Sequence, residues 1–166
     1  MNLKILIPSL ISSLRIILAP LLFYYIINDL TFLAFTLFLI VISSDYFDGY
    51  IARKLKLTSN KGAYMDITSD FVIIIVAFAA FIIKGLYPYW ILLLIIVMFL
   101  QFIITSKTDK PVYDPIGKYY GSFLFVCIGI NLILPLNLIN NILLILIVIF
   151  SSISLISRFK ALYMKS

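Results

Sequence analysis

Asp45-Tyr46-Phe47-Asp48-Gly49-Tyr50-Ile51-Ala52-Arg53, followed after eight intervening residues by Gly62-Ala63-Tyr64-Met65-Asp66-Ile67-Thr68-Ser69-Asp70, is the stretch on which the reading of this chain turns. All seven acidic residues of the chain are aspartates, and four of them fall here. The sequence on both sides is overwhelmingly apolar. An ionisable side chain at the edge of such segments is expensive and by default marks a functional site. Asp45 and Asp48 are three apart and Asp66 and Asp70 four apart, so on helices each pair shares a face. The short basic connection from Lys54 to Lys61 predicts antiparallel neighbours, bringing the four carboxylates to one depth.

Four like charges in a low-dielectric setting repel strongly. Hard divalent cations with oxygen ligands relieve that repulsion, and Mg²⁺ usually binds substrate phosphates as well. Asp45, Asp48, Asp66 and Asp70 are therefore the expected metal ligands, holding two Mg²⁺ ions with Mn²⁺ as a substitute. Two such ions clamp the attacking and leaving oxygens of a displacement at phosphorus. Gly49 and Ala52 remove side-chain bulk and let a ligand approach the backbone, and Arg53 places a planar cationic fork beside the acids. Gly62 allows a turn into the next helix or close helix packing. The competing reading of any single aspartate is a helix cap, with Asp66 in a favourable first turn.

Around this stretch, 64% of the 166 residues are hydrophobic and the mean hydropathy is +1.18. A soluble domain of this length averages nearer half apolar, so the composition predicts an integral membrane protein. Six segments approach the ~20 apolar residues that a bilayer crossing needs: 8–28, 31–51, 63–84, 88–106, 119–135 and 138–157. The expected fold is all-α, a membrane bundle of six transmembrane helices forming a single domain over residues 1–166. The start at Met1-Asn2-Leu3-Lys4 is similar to the charged end of a signal peptide. The apolar run after it is too long, contains Arg15 and lacks a small-residue cleavage site, so it is read as the first span.

With both termini on one side, that side collects Lys4, Arg15, Arg53, Lys54, Lys56, Lys61, Lys107, Lys110, Lys118, Arg158, Lys160 and Lys165, leaving only Lys84 opposite. The asymmetry predicts cytoplasmic termini and a cytoplasmic acid cluster in the cell membrane. The net charge of +6 is thus one-sided and suits anionic head groups; scattered basic residues argue against nucleic acid. Trp90, Tyr87 and Tyr89 fall where an outer aromatic belt is expected. Cys127 reads as a small packing residue. The absence of histidine removes His-based triads and metal sites.

The quoted residues fit D-x2-D-G-x2-A-R-x8-G-x3-D-x3-D at all eight fixed positions. That pattern resembles the signature of the CDP-alcohol phosphotransferases, membrane enzymes that make phospholipids. The resemblance implies that an alcohol attacks the phosphorus of a CDP-linked lipid and that CMP leaves. It implies metal ligation by Asp45, Asp48, Asp66 and Asp70, with Asp70 also the base that deprotonates the acceptor. It places Asp48, Gly49, Ala52, Arg53 and Gly62 around the CDP group and implies a homodimer.

The opening Ile7-Pro8-Ser9-Leu10-Ile11-Ser12-Ser13-Leu14-Arg15, and Gly117-Lys118, resemble the phosphatidylglycerophosphate synthases, which take glycerol 3-phosphate. Phe71 stands where that branch, like the inositol-phosphate one, usually has a basic residue, so serine, inositol phosphate and other alcohols remain alternatives. Candidate residues for the acceptor are Arg15, Lys107, Lys118 and Arg158; the competing reading is a snorkelling Arg15 and ordinary positive-inside topology. A divalent-cation transporter is the more distant alternative, disfavoured because spans three to six carry almost no polar midplane residues.

Overall fold

The structure, a computed structural model, describes the backbone of residues 3–54, 60–106 and 117–163, and the side-chain surroundings of residues 15–44, 67–104, 117 and 119–160. Among the described residues six helices follow in order: α1 (Leu3–Ile27), α2 (Thr31–Lys54), α3 (Asn60–Ile83), α4 (Trp90–Ser106), α5 (Tyr120–Ile133) and α6 (Asn137–Tyr163), with one 3-10 turn at Gly117–Tyr119. No strand occurs among the described residues. The six helices fall on the six segments expected from hydropathy.

Their ends follow local chemistry. At the end of α1, Asp29 adopts a left-handed φ of 58°. Leu30 N–H then donates to Tyr25 O at 2.9 Å and Asp29 N–H to Ile26 O at 3.3 Å, the paired bonds that close a helix C-terminus. Asn28 Nδ2 adds a bond to Tyr24 O at 2.8 Å. Gly85, with φ of 75°, makes the corresponding turn after α3. Leu134-Pro135-Leu136 separates α5 from α6, because the residue before proline is pushed out of the helical region.

Helix boundaries differ from expectation around the acidic stretch. α2 runs unbroken through Asp45, Asp48, Gly49, Ala52 and Arg53 to Lys54, and α3 is already helical at Asn60. Asp66 is therefore not in the first turn of α3, which holds no acid, and Gly62 lies within that first turn.

The chain parts into two compact units, Met1–Phe81 and Ile82–Ser166. In the first, α1 packs on α2. The buried face of α1 is Arg15, Ala19, Leu22 and Ile26, and that of α2 is Ala34, Leu37, Phe38 and Val41. Both have the three-and-four spacing of a single helix stripe. On α3 the buried positions are Ser69, Ile73, Ile74, Ala77, Phe78, Ala80 and Phe81.

In the second unit, α6 packs on α4 and α5. Its buried stripe is Asn140, Leu143, Ile147, Ser151, Ser154 and Arg158, while Ile142, Ile145, Ile149, Ile153, Ile156 and Phe159 are exposed. Four of these six buried positions are polar, while the exposed ones named are apolar. That pattern suits an apolar solvent, where small and hydroxyl side chains join helices and branched ones meet lipid.

Tyr120 Oη lies 2.9 Å from Ser151 Oγ, which itself donates to Ile147 O at 2.7 Å. Phe123 and Phe150 stack beside them with centroids 4.8 Å apart. Cys127 is fully buried, in the packing role expected of it. Tyr89 and Trp90 are exposed as a belt requires, but Tyr87 is not: it is buried at 4% exposure. Its Oη accepts a 2.8 Å bond from Asn131 Nδ2, because a polar partner on α5 draws the ring inward.

Among the described residues, Asn137–Lys160 is the one helical stretch long and apolar enough to cross a membrane by itself. The other apolar stretches, Arg15–Ile27, Thr31–Ser44, Ile67–Ile83, Trp90–Ile104 and Tyr120–Ile133, each run 10–17 residues. At about 1.5 Å per residue these are shorter than a ~30 Å hydrocarbon layer. Those on α1, α2 and α3 are the apolar parts of helices of 25, 24 and 24 residues.

Candidate active site

Asp70 sits on α3, immediately after the buried Ser69. From α1, Arg15 reaches across 55 positions of sequence: its Nη1 donates to Asp70 Oδ1 at 2.7 Å. The same Nη1 makes a longer contact, 3.4 Å, to Ser69 Oγ. The two partners are not equally covered. Arg15 is 0% exposed, whereas the Asp70 side chain is 29% exposed. The guanidinium thus forms the closed back of the pair and the carboxylate its open edge.

A fully buried guanidinium needs such a partner. Its position on α1 continues the stripe of Ala19, Leu22 and Ile26, so helical geometry turns it inward whatever its charge. Removing one partner of a buried ion pair typically costs about 3–5 kcal/mol, because the other charge is left uncompensated. Charge-assisted bonds of this length are among the stronger polar contacts in proteins.

Asp45 and Asp48 occupy positions three apart on the unbroken α2, and Asp66 and Asp70 positions four apart on the unbroken α3. The side chains of Asp45, Asp48, Gly49, Ala52, Arg53, Gly62 and Asp66 lie outside the described residues, as do Lys107 and the side chain of Lys118. Among the described residues, no three acidic, histidine or cysteine side chains gather at one point. Asp70 is the one acid of the motif whose surroundings are described, and it is joined by Arg15.

Arg158, the other described acceptor candidate, is 5% exposed. Its Cζ lies 5.0 Å from the centroid of the Phe102 ring on α4, and Nη2 donates to Phe102 O at 3.3 Å. Ser69 was not anticipated. The signal was available, since a hydroxyl beside the last motif aspartate shares its turn of helix.

The sequence matches the CDP-alcohol phosphatidyltransferase family over residues 5–153, a span that runs through both units. The chain belongs to this family. It is also similar to proteins named CDP-diacylglycerol–glycerol-3-phosphate 3-phosphatidyltransferase. That of Wigglesworthia glossinidia brevipalpis is 30% identical over 115 residues, covering 68% of this chain and 62% of the relative. That of Haemophilus influenzae is 34% identical over 103 residues, 60% of this chain and 55% of the relative. In Pseudomonas fluorescens the match is 38% identical over 74 residues, 43% of this chain and 38% of the relative. The chain thus spans less than two thirds of the length of the curated relatives it matches. As the family resemblance requires, the complete eight-position pattern between Asp45 and Asp70 lies inside the matched span.

Proposed function

We propose that this protein transfers a phosphatidyl group from CDP-diacylglycerol to glycerol 3-phosphate, releasing CMP. The observation that carries the reading is the family match over residues 5–153, with every fixed position of the motif present. The acceptor rests on the names of the relatives and on the Ile7–Arg15 opening.

In the step proposed, the acceptor hydroxyl oxygen attacks the phosphorus attached to the lipid. A new phosphorus–oxygen bond forms, the bond from that phosphorus to the CMP oxygen breaks, and CMP leaves with the bonding electrons. Asp70, at the open edge of its ion pair, takes the hydroxyl proton. Asp48, Gly49, Ala52, Arg53 and Gly62 line the CDP pocket, with Arg53 on the diphosphate.

Asp45, Asp48, Asp66 and Asp70 supply oxygen donors of the hardness that Mg²⁺ prefers, and their helical spacing of three and four suits shared ligation. Bound there, two ions supply charge neutralisation at the transferring phosphate. The polar buried stripe of α6 and the one-sided basic residues support a six-span protein of the cell membrane, with its site on the cytoplasmic face; the family resemblance implies that it acts as a homodimer.

The test is direct. Purified protein in detergent, given Mg²⁺ and CDP-diacylglycerol, is expected to release CMP on addition of glycerol 3-phosphate and to stop when EDTA is added. Release only with serine or inositol phosphate corrects the acceptor. No release with any alcohol overturns the reading.

A further inference from the structure

We infer that Arg15 is a positioning residue for the Asp70 carboxylate, and not a ligand for the phosphate of the acceptor. The inference rests on the transfer reaction proposed above, in which Asp70 takes the proton.

Arg15 is fully covered, while Asp70 is partly open. A side chain that receives a phosphate from the aqueous side must be reachable from it, and the member of this pair at the edge is the acid. Arg15 also lies on the inward stripe of α1 with Ala19, Leu22 and Ile26. The snorkelling alternative is therefore not realised.

One nitrogen, Nη1, meets two successive residues of α3, Asp70 Oδ1 at 2.7 Å and Ser69 Oγ at 3.4 Å. Two contacts to one turn of α3 hold Nη1 against that turn, and the shorter one restrains the rotation of the carboxylate. A base works only when its oxygen is held in line with the proton it accepts, and a misplacement near 1 Å costs about 10²-fold in rate. Lysine keeps the charge but presents it as a rotatable point rather than a planar fork, so it is not expected to replace Arg15.

Two measurements test this. In steady-state assays, Arg15→Lys and Arg15→Gln are expected to lower kcat by about 10²-fold while changing KM for glycerol 3-phosphate by less than about threefold. In protein labelled with ¹⁵N-arginine, only Arg15, Arg53 and Arg158 contribute side-chain signals, and loss of one signal in Arg15→Lys identifies Arg15. That signal is expected to move in Asp70→Asn and to stay in place when glycerol 3-phosphate is added.

A rise in KM of about tenfold or more with kcat kept overturns the assignment, as does unchanged turnover in Arg15→Gln. An Arg15 signal that ignores Asp70→Asn overturns it too. Should Arg15→Gln fail to fold, Arg15→Lys and the wild-type spectra decide the matter. The Asp70→Asn spectrum needs no acceptor, so wild-type protein inactive with every alcohol sinks the proposed reaction without touching the Arg15–Asp70 result.

Discussion

Arg158 of α6 lies face-on to Phe102 of α4, its Cζ 5.0 Å from the ring centroid and its Nη2 3.3 Å from the Phe102 carbonyl oxygen. One side chain thus joins the ends of two helices through a π face and a backbone acceptor. Truncation to alanine removes both contacts and is expected to lower stability by about 1–3 kcal/mol. Arg158→Lys recovers only part of that, because the ammonium lacks the planar fork. Thermal unfolding in detergent measures it. An unchanged melting temperature with a raised KM for the acceptor assigns Arg158 to substrate instead.

Asp70→Asn keeps the shape of the side chain and removes its negative charge. CMP release is expected to fall by about 10²–10⁴-fold, the range of a lost general base, while CDP-diacylglycerol still binds. Parallel turnover and lipid-binding measurements check this. Binding lost together with turnover gives Asp70 a purely metal-holding role.

Asp29 and Gly85 both have left-handed backbones, at φ 58° and 75°. A residue with a Cβ carries roughly 1–2 kcal/mol of strain there, which glycine avoids at an entropic cost of about 0.5–1 kcal/mol. Asp29→Gly is accordingly expected to raise the melting temperature slightly. Gly85→Ala is expected to lower it, even though an added Cβ meets nothing within 4 Å. Shifts of the same sign in both would show that the φ values do not set the energetics.

Tyr87 lies in the connection between α3 and α4, and burial pushes its phenol from 10.0 up to about 12, with the Asn131 hydrogen bond acting in the opposite direction. The folded state therefore holds this proton more tightly than the unfolded state. Its contribution to stability is complete below pH 10 and is lost as pH rises through about 12. Tyr87→Phe is expected to cost about 1 kcal/mol at neutral pH, from the lost hydrogen bond. It is also expected to flatten the alkaline fall in stability seen in wild type. Melting curves at pH 8 and pH 11 for the two proteins provide the comparison.

The helices were legible because each apolar run ends in a distinct signal: Asn28-Asp29, Lys84-Gly85, or Pro135. The motif gave the family, because eight fixed positions with fixed gaps seldom coincide by chance. Hydropathy reports how apolar a stretch is and not which side faces in. Tyr87 therefore reads as belt from sequence although it faces Asn131, and hydropathy gives no sign of the buried serines of α6. Helix propensity carried α2 on past the expected span limit to Lys54, since Ala52, Arg53 and Lys54 are all good helix formers. The sequence puts Arg15 near the acids, and the stripe from Arg15 to Ile26 turns it inward, to Asp70 of α3.

The acid that closes the motif draws its counter-charge from a helix more than fifty residues upstream. Transplanting residues 45–70 into another helical hairpin would therefore import that acid without its ion-pair partner. On the role proposed for Arg15, a minimal catalyst built from this chain has to begin before it, and chimeras that exchange the first helix between relatives are expected to need an arginine at that register.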